Sequence, residues 1–399
     1  MKPKTFMLIA GEASGDLLAA ELVSALLAAS KQNEEGRPPQ FFGAGGAKMA
    51  AAGVELAFDL TQHSVIGISD VLKNYFKFRR LFHQLLALAI KRKPDVVIGV
   101  DYGGFNLRFG HAVKEYVRNN PFSKWNPKIV QFVSPQVWAS RPGRANLLAA
   151  DYDLLLSIFP FEKNWYAQRV PKLRVKFVGH PMIGRFTSAE LRRSDFPISS
   201  WAGTKTSEQT PLVVLLPGSR KSEIARHLPL LMKSLELIEQ TTPVSYRVVV
   251  PKEIVPYIHR WTGGKLPRSL LVQGGGLAEA LSEARIAIAS TGTVTMECAF
   301  FGVPTVTLYK TSWLTYEIAK RIVTVKSLTM PNLMAGEEVF PEFIQSDATP
   351  ENISRATLEL LQNESRRQKI KSQLAKIVSS LGEPGAAGRA ATAILSLFK

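Results

Sequence analysis

Leu216-Pro217-Gly218-Ser219-Arg220 follows an apolar run, Leu212–Leu216, and precedes a helical pattern that opens at Ser222. A strand, a tight loop and a helix start in that order aim unpaired backbone N–H groups and the positive end of a helix at one spot, which suits an anion. The planar guanidinium of Arg220 matches phosphate. A second run, Ile286–Ala289, ends in Ser290-Thr291-Gly292-Thr293, and a helical pattern follows with Glu297 about one turn in. Two loops of this build point to a nucleotide. Carboxylates stand at similar places earlier in the chain. The run Phe6–Ala10 ends in Gly11-Glu12-Ala13-Ser14-Gly15-Asp16, where Ser14 or Asp16 would serve as a helix cap, a role that leaves Glu12 unexplained. Val96–Val100 leads directly to Asp101-Tyr102-Gly103-Gly104-Phe105-Asn106, in which Asp101 is either a turn former or a general base. Ile129–Val133 leads to Ser134-Pro135-Gln136-Val137-Trp138. With Arg141 and Arg144, that segment reads either as a rigid turn with a packed Trp or as the lining of a cleft.

The elements that position these residues are short apolar runs alternating with helical patterns, further runs being Leu154–Ile158, Tyr246–Val250 and Thr305–Leu308. Runs apolar on both faces belong in a buried parallel sheet, so the expected fold class is α/β, doubly wound, with two sheets. Ligands bind at the carboxyl ends of such strands, which is where Glu12, Asp101 and Arg220 fall. Domains are expected over 1–186 and 211–345, with a polar linker over 187–210 and a helical segment over 346–399. Gly43-Ala44-Gly45-Gly46-Ala47-Lys48 lacks the last glycine of a dinucleotide fingerprint and reads as a loop. Asp151-Tyr152-Asp153 precedes its strand, at the wrong end of the sheet for a metal-held sugar diphosphate. His180, before Pro181, is a hinge or cleft residue. The histidine spacing gives no argument for zinc.

The chain has 399 residues and a formal charge of +17, which calls for an anionic partner. It carries no zinc-finger spacing and no RNA-recognition signature, so phosphate or lipid is preferred to nucleic acid. Its single cysteine, Cys298, excludes an intrachain disulfide. No stretch is expected to cross a membrane. In the helical pattern Ser64–Ile90, Val65, Ile66, Ile68, Val71, Leu72, Tyr75 and Phe76 are apolar beside Lys73, Lys77, Arg79 and Arg80. That face either packs into its own domain or dips into an anionic bilayer.

Several stretches, taken in order, resemble the lipid-A-disaccharide synthase family, inverting glycosyltransferases of the GT-B fold. They are Gly11 to Asp16, Val133 to Trp138, Phe159-Pro160-Phe161-Glu162-Lys163, Val178-Gly179-His180-Pro181, Leu215 to Arg220 and Leu328-Thr329-Met330-Pro331-Asn332-Leu333-Met334-Ala335-Gly336. The resemblance implies two Rossmann-like domains facing a cleft, with C-terminal helices returning to the N-terminal domain and taking part in dimer formation. It implies transfer of diacylglucosamine from its UDP derivative to diacylglucosamine 1-phosphate (lipid X), with no metal and no cofactor, at the cytoplasmic face of a bacterial inner membrane. By motif, Asp101 would be the base, with Glu12 beside it. Gly218, Ser219, Arg220, Thr291, Gly292, Thr293, Glu297 and Asn332 would bind UDP. Ser14, Asn106, Ser134, Gln136, Trp138 and Arg141 would line the acceptor cleft. Two positions depart from the family pattern: Gly104 stands where an acidic residue is common, and Ser140 where a Trp is. Rival readings are another GT-B enzyme acting on UDP-N-acetylglucosamine and a non-catalytic lipid- or nucleotide-binding protein.

Overall fold

In a computed structural model, residues 4–31, 38–61, 68–185, 210–262, 267 and 269–398 are described. The chain divides into two units, one of residues 1–185 with 381–399 and the other of 186–380.

In the first unit the strands are β1 (Thr5–Ala10), β2 (Gln40–Gly45), β3 (Glu55–Asp59), β4 (Val96–Val100), β5 (Lys128–Phe132), β6 (Leu154–Ser157) and β7 (Val175–Phe177). β1 is buried after its first residue and β4 throughout, so both need cover on each face and take central places. The sheet is wholly parallel, in the order β3-β2-β1-β4-β5-β6-β7. Strand order reverses between β1 and β4, which brings together the loops carrying Glu12 and Asp101. Phe82, on the helix Ile68–Arg92, fastens that helix to the core through edge contacts with Phe105 and Phe109, at 5.4 and 5.6 Å between ring centres.

The second unit holds β8 (Leu212–Leu216), β9 (Ser245–Val250), β10 (Leu270–Gly274), β11 (Ile286–Ser290), β12 (Thr305–Tyr309) and β13 (Glu342–Ile344). They form a second parallel sheet in the order β10-β9-β8-β11-β12-β13. Its reversal lies between β8 and β11, the strands that end in the two anion-type loops.

Four expectations need correction. The segment read as a loop at Gly43–Lys48 is the end of β2 and the start of the helix Ala47–Ala51. Gly43 lets β2 crowd β1, because a Cβ there would lie 1.9 Å from the Leu8 carbonyl oxygen. Asp16 does not cap its own helix: its carboxylate accepts N–H bonds from Gly46, Lys48 and Met49 at 2.8 to 3.0 Å and so caps Ala47–Ala51. The helical segment 346–399 divides. Pro350–Gln362 packs on Lys221–Glu239 and Glu364–Ser380 on Val294–Phe300, both in the second unit. Only the remainder joins the first unit, where Ala386–Leu395 lies along the helix Ala13–Lys31 and Arg389 Nε donates to Val178 O (2.8 Å). Ala13–Lys31 is long and apolar enough to cross a membrane by length and composition, against the expectation that no stretch would be, but Leu18, Leu22, Val23 and Leu26 face the core. The expected linker falls mostly outside the described residues.

Candidate functional site

In the first unit, β4 ends in two consecutive left-handed residues, Asp101 (φ 51) and Tyr102 (φ 46), and the helix Gly103–Asn119 starts at once. Non-glycine residues avoid this region, so the turn has to be held from outside. Asp101 N–H donates to Phe132 O (2.8 Å), and the Asp101 carbonyl accepts from Asn106 Nδ2 (2.8 Å) and Gln131 Nε2 (2.9 Å). Glycines on the neighbouring loop permit the approach: a Cβ at Gly11 would strike the Tyr102 ring at 2.4 Å, and one at Gly15 would lie 3.6 Å from Asp101 Cβ. The Asp101 carboxyl is held above the usual aspartate range, first by burial and second by the charge of Glu12, against a bond from the Tyr102 backbone that pulls it down. A half-buried, raised carboxylate at a strand's carboxyl end can take a proton from a hydroxyl.

The expected acceptor-cleft residues separate by exposure. Ser14, Gln136 and Arg141 are exposed, whereas Asn106, Ser134 and Trp138 are buried. Asn106 anchors the Asp101 turn from beneath. Ser134 Oγ bonds with the Tyr166 hydroxyl (3.0 Å), and Trp138 Nε1 donates to Glu162 Oε1 (3.1 Å). These three support the loops from within. Burial pushes the Glu162 carboxyl up to about 7, more than its hydrogen bonds lower it. His180 is buried as well, its Nδ1 accepting from Met182 N–H (3.2 Å). Asp151 pairs with His111 (2.7 Å) and Arg118 (3.0 Å), and Asp153 accepts from Ile129 N–H (2.9 Å), at the amino end of β6.

In the second unit, Pro217–Arg220 joins β8 to the helix Lys221–Glu239. Gly218 has φ +125, and a Cβ there would lie 2.4 Å from Glu223 Oε2. That carboxylate accepts the Ser219 N–H at 3.3 Å, in the place an anion would take. Ser219 and Arg220 are exposed. Beneath them lies His227, which the sequence reading passed over, since one histidine on an apolar helix face carries no spacing signal. Its Nδ1 donates to Pro217 O (2.8 Å) and its Nε2 accepts from Lys310 N–H (3.0 Å), so the neutral ring ties the loop after β8 to the loop after β12. Burial is the larger influence on that ring and lowers its pKa. After β11, Gly292 has φ +144, and open space surrounds the position a Cβ would take. Thr291 and Glu297 are half-buried, Gly292 and Thr293 exposed, and the helix Val294–Phe300 follows. Asn332 departs from expectation. Its Nδ2 donates to Phe340 O and Glu342 Oε1 (2.8 Å each), and its Oδ1 accepts from Val339 N–H (2.9 Å) and Phe340 N–H (2.8 Å), so the amide is spent inside the protein rather than offered to a nucleotide.

Val65 and Ile66 lie outside the described residues, as do the side chains of Ile68, Val71, Leu72 and Tyr75; Phe76 is 78% exposed. Among the described residues no group of three or more His, Cys, Asp or Glu is arranged to hold a metal ion.

Two parallel sheets of doubly wound type, each with strand-to-helix loops at the reversal of strand order, define a GT-B glycosyltransferase fold. Solved structures agree: Acinetobacter baumannii MurG (TM-score 0.56, 15% identity, 99% of this chain and 100% of that one) and the calicheamicin glycosyltransferase CalG4 (TM-score 0.59, 13% identity, 99% and 98%). A family model described as lipid-A-disaccharide synthetase matches residues 6–396. Lipid-A-disaccharide synthases of Trichlorobacter lovleyi (35% identity over 100% of this chain and 98% of the relative) and Myxococcus xanthus (34%, 99% and 98%) match throughout. The chain belongs to the lipid-A-disaccharide synthase family.

Proposed function

We propose that the protein transfers 2,3-diacylglucosamine from its UDP derivative to 2,3-diacylglucosamine 1-phosphate, with inversion and release of UDP. The observation that carries this reading is that the family match runs from residue 6 to residue 396, through both the Asp101 turn and the Pro217–Arg220 loop. Asp101 accepts the proton of the acceptor's primary hydroxyl as its oxygen bonds to the donor's anomeric carbon. The bond from that carbon to the diphosphate breaks, and UDP leaves with the electron pair. Glu12, beside Asp101, helps keep the carboxylate basic enough for the task. The Ser219 N–H exchanges Glu223 for the diphosphate, and Arg220 adds its guanidinium to stabilise the growing charge. Gly218 keeps the loop open to that approach. Thr291, Gly292 and Thr293 add donors, and Glu297 receives the ribose hydroxyls. No metal or cofactor takes part.

Both substrates are acylated anions, so the enzyme works as a peripheral protein on the cytoplasmic face of the inner membrane. Exposed Phe76 stands next to Lys77 and near Arg79 and Arg80, all exposed but for the partly covered neighbour Phe78. In the second unit the helix Trp313–Ile322 turns Trp313 (71% exposed), Leu314 (58%) and Ile318 outward and ends in Lys320 and Arg321. Apolar and basic side chains in this arrangement suit an anionic lipid surface. The test is incubation with UDP-diacylglucosamine and lipid X in detergent. Disaccharide and free UDP are expected; turnover of unacylated UDP-N-acetylglucosamine alone would reject the reading.

A further inference from the structure

The helix Gly103–Asn119 presents basic side chains to the segment after β5, and their partners change along its length. Towards its carboxyl end Arg118 and His111 meet Asp151 (3.0 and 2.7 Å), and Lys114 meets Asp153 (3.1 Å). Arg108 precedes His111 by three residues, so it lies on the same face about one turn nearer Asp101. The helix Gly103–Asn119 packs against Ala145–Asp151, which starts next to Arg144, and the charge of Arg108 reaches the Arg144 guanidinium together with that of Arg141. Among the described residues, none of these three guanidinium groups makes a hydrogen bond or an ion pair.

Packing holds the three together. Arg144 N–H donates to Arg141 O (3.0 Å), and Arg144 leads into the helix Ala145–Asp151, whose Ala145 and Leu148 are buried. A Cβ at Gly103 would lie 2.6 Å from Pro135 Cβ, so the segments after β4 and β5 touch beside the Asp101 turn. Burial and then the Arg141 and Arg108 charges hold the Arg144 guanidinium below its ordinary value. Each basic group farther along the helix has its acid, and these three have none. Their mutual repulsion would be relieved by a dianion, and arginine forks fit phosphate oxygens.

We propose that Arg108, Arg141 and Arg144 form the subsite that grips the phosphate monoester of the acceptor. The inference rests on the acceptor reading above. In lipid X the carbon that bears the phosphate and the carbon that bears the primary hydroxymethyl group flank the ring oxygen, so a clamp on the phosphate near Asp101 limits which hydroxyl the base meets.

The experiment compares lipid X with the same diacylglucosamine lacking phosphate, in mixed micelles, for wild type, Arg108→Ala and Arg144→Lys. Arg108 is exposed, so its variant tests the cluster with least disturbance to the fold. Wild type should lose about ten- to hundredfold in kcat/KM when the phosphate is removed. Arg108→Ala should lose a similar factor on lipid X and little more on the phosphate-free acceptor, with donor KM unchanged. Arg144→Lys should fall between. Variants that keep the full wild-type preference for the phosphorylated acceptor would overturn the subsite. If they keep that preference but release vesicles containing phosphatidylglycerol, the cluster serves lipid headgroups and the subsite is likewise overturned. Titration with glucosamine 1-phosphate reads the subsite without turnover, and equal binding by wild type and Arg108→Ala overturns it. Wild type that binds glucosamine 1-phosphate but releases no UDP rejects the transfer reading and leaves the anion subsite standing.

Discussion

Asp101 is raised by burial and by Glu12, which fixes the sign of its pH dependence. If Asp101 is the base, as proposed, then as pH falls activity should be lost at a higher pH than for an ordinary aspartate, and Glu12→Gln should move that midpoint down. The pH profile of kcat/KM checks this, and an unmoved midpoint would refute the coupling. Asp101→Asn should abolish transfer while UDP still binds. Glu162 yields a prediction about stability rather than rate. Its carboxyl is 1% exposed and pushed up to about 7 from an ordinary 4.5, so the folded protein holds that proton more tightly than the unfolded chain. Stability from this group is therefore full below about 4.5 and lost as pH rises through about 7, by roughly 3 kcal/mol. Glu162→Gln keeps an acceptor for Trp138 and should flatten the decline, as denaturation curves at a series of pH values would read.

The central strands were legible because each is an uninterrupted apolar run ending in a loop of distinctive chemistry; Val96–Val100 before Asp101 is the clearest. β3, β7, β10 and β13 were not, since each mixes exposed or half-buried positions and leaves no run to read, and β2, although buried, was hidden by its glycines, which read as a loop. The anion-type loops could be read from glycine and strand-to-helix order, but the contacts beneath them could not. Asn332 looked like a ligand contact because an Asn in a distinctive motif says nothing of what saturates its amide. His227 was hidden for the opposite reason, having no motif at all. His227→Leu would fill the space but leave Pro217 O and Lys310 N–H unpaired, at about 1–3 kcal/mol for each. We expect weaker UDP binding by calorimetry with acceptor KM unchanged. Gly104 sits in the first turn of its helix, exposed, with nothing within 4 Å of a built Cβ. Gly104→Asp should raise thermal stability by about 1 kcal/mol, through helix propensity and the helix dipole; a lowered melting temperature would contradict this.

At the scale of the molecule, the proposed work on a lipid surface rests on the charge of +17 and on two separate apolar-basic patches. Trp313→Ser combined with Leu314→Ser should reduce retention on phosphatidylglycerol vesicles, and raised salt should weaken what remains, while UDP affinity is kept. Unchanged retention would exclude that helix from the lipid contact. The division of the chain bears on synthesis as well as function. The first unit is built from two separate stretches, 1–185 and 381–399, and the whole second unit is made between them. At about 5–20 residues per second, the face of Ala13–Lys31 that Ala386–Leu395 will cover waits roughly 20–70 s on the ribosome for its partner. The earlier-made half is thus the later to be finished, and its nascent form is a natural client for a chaperone.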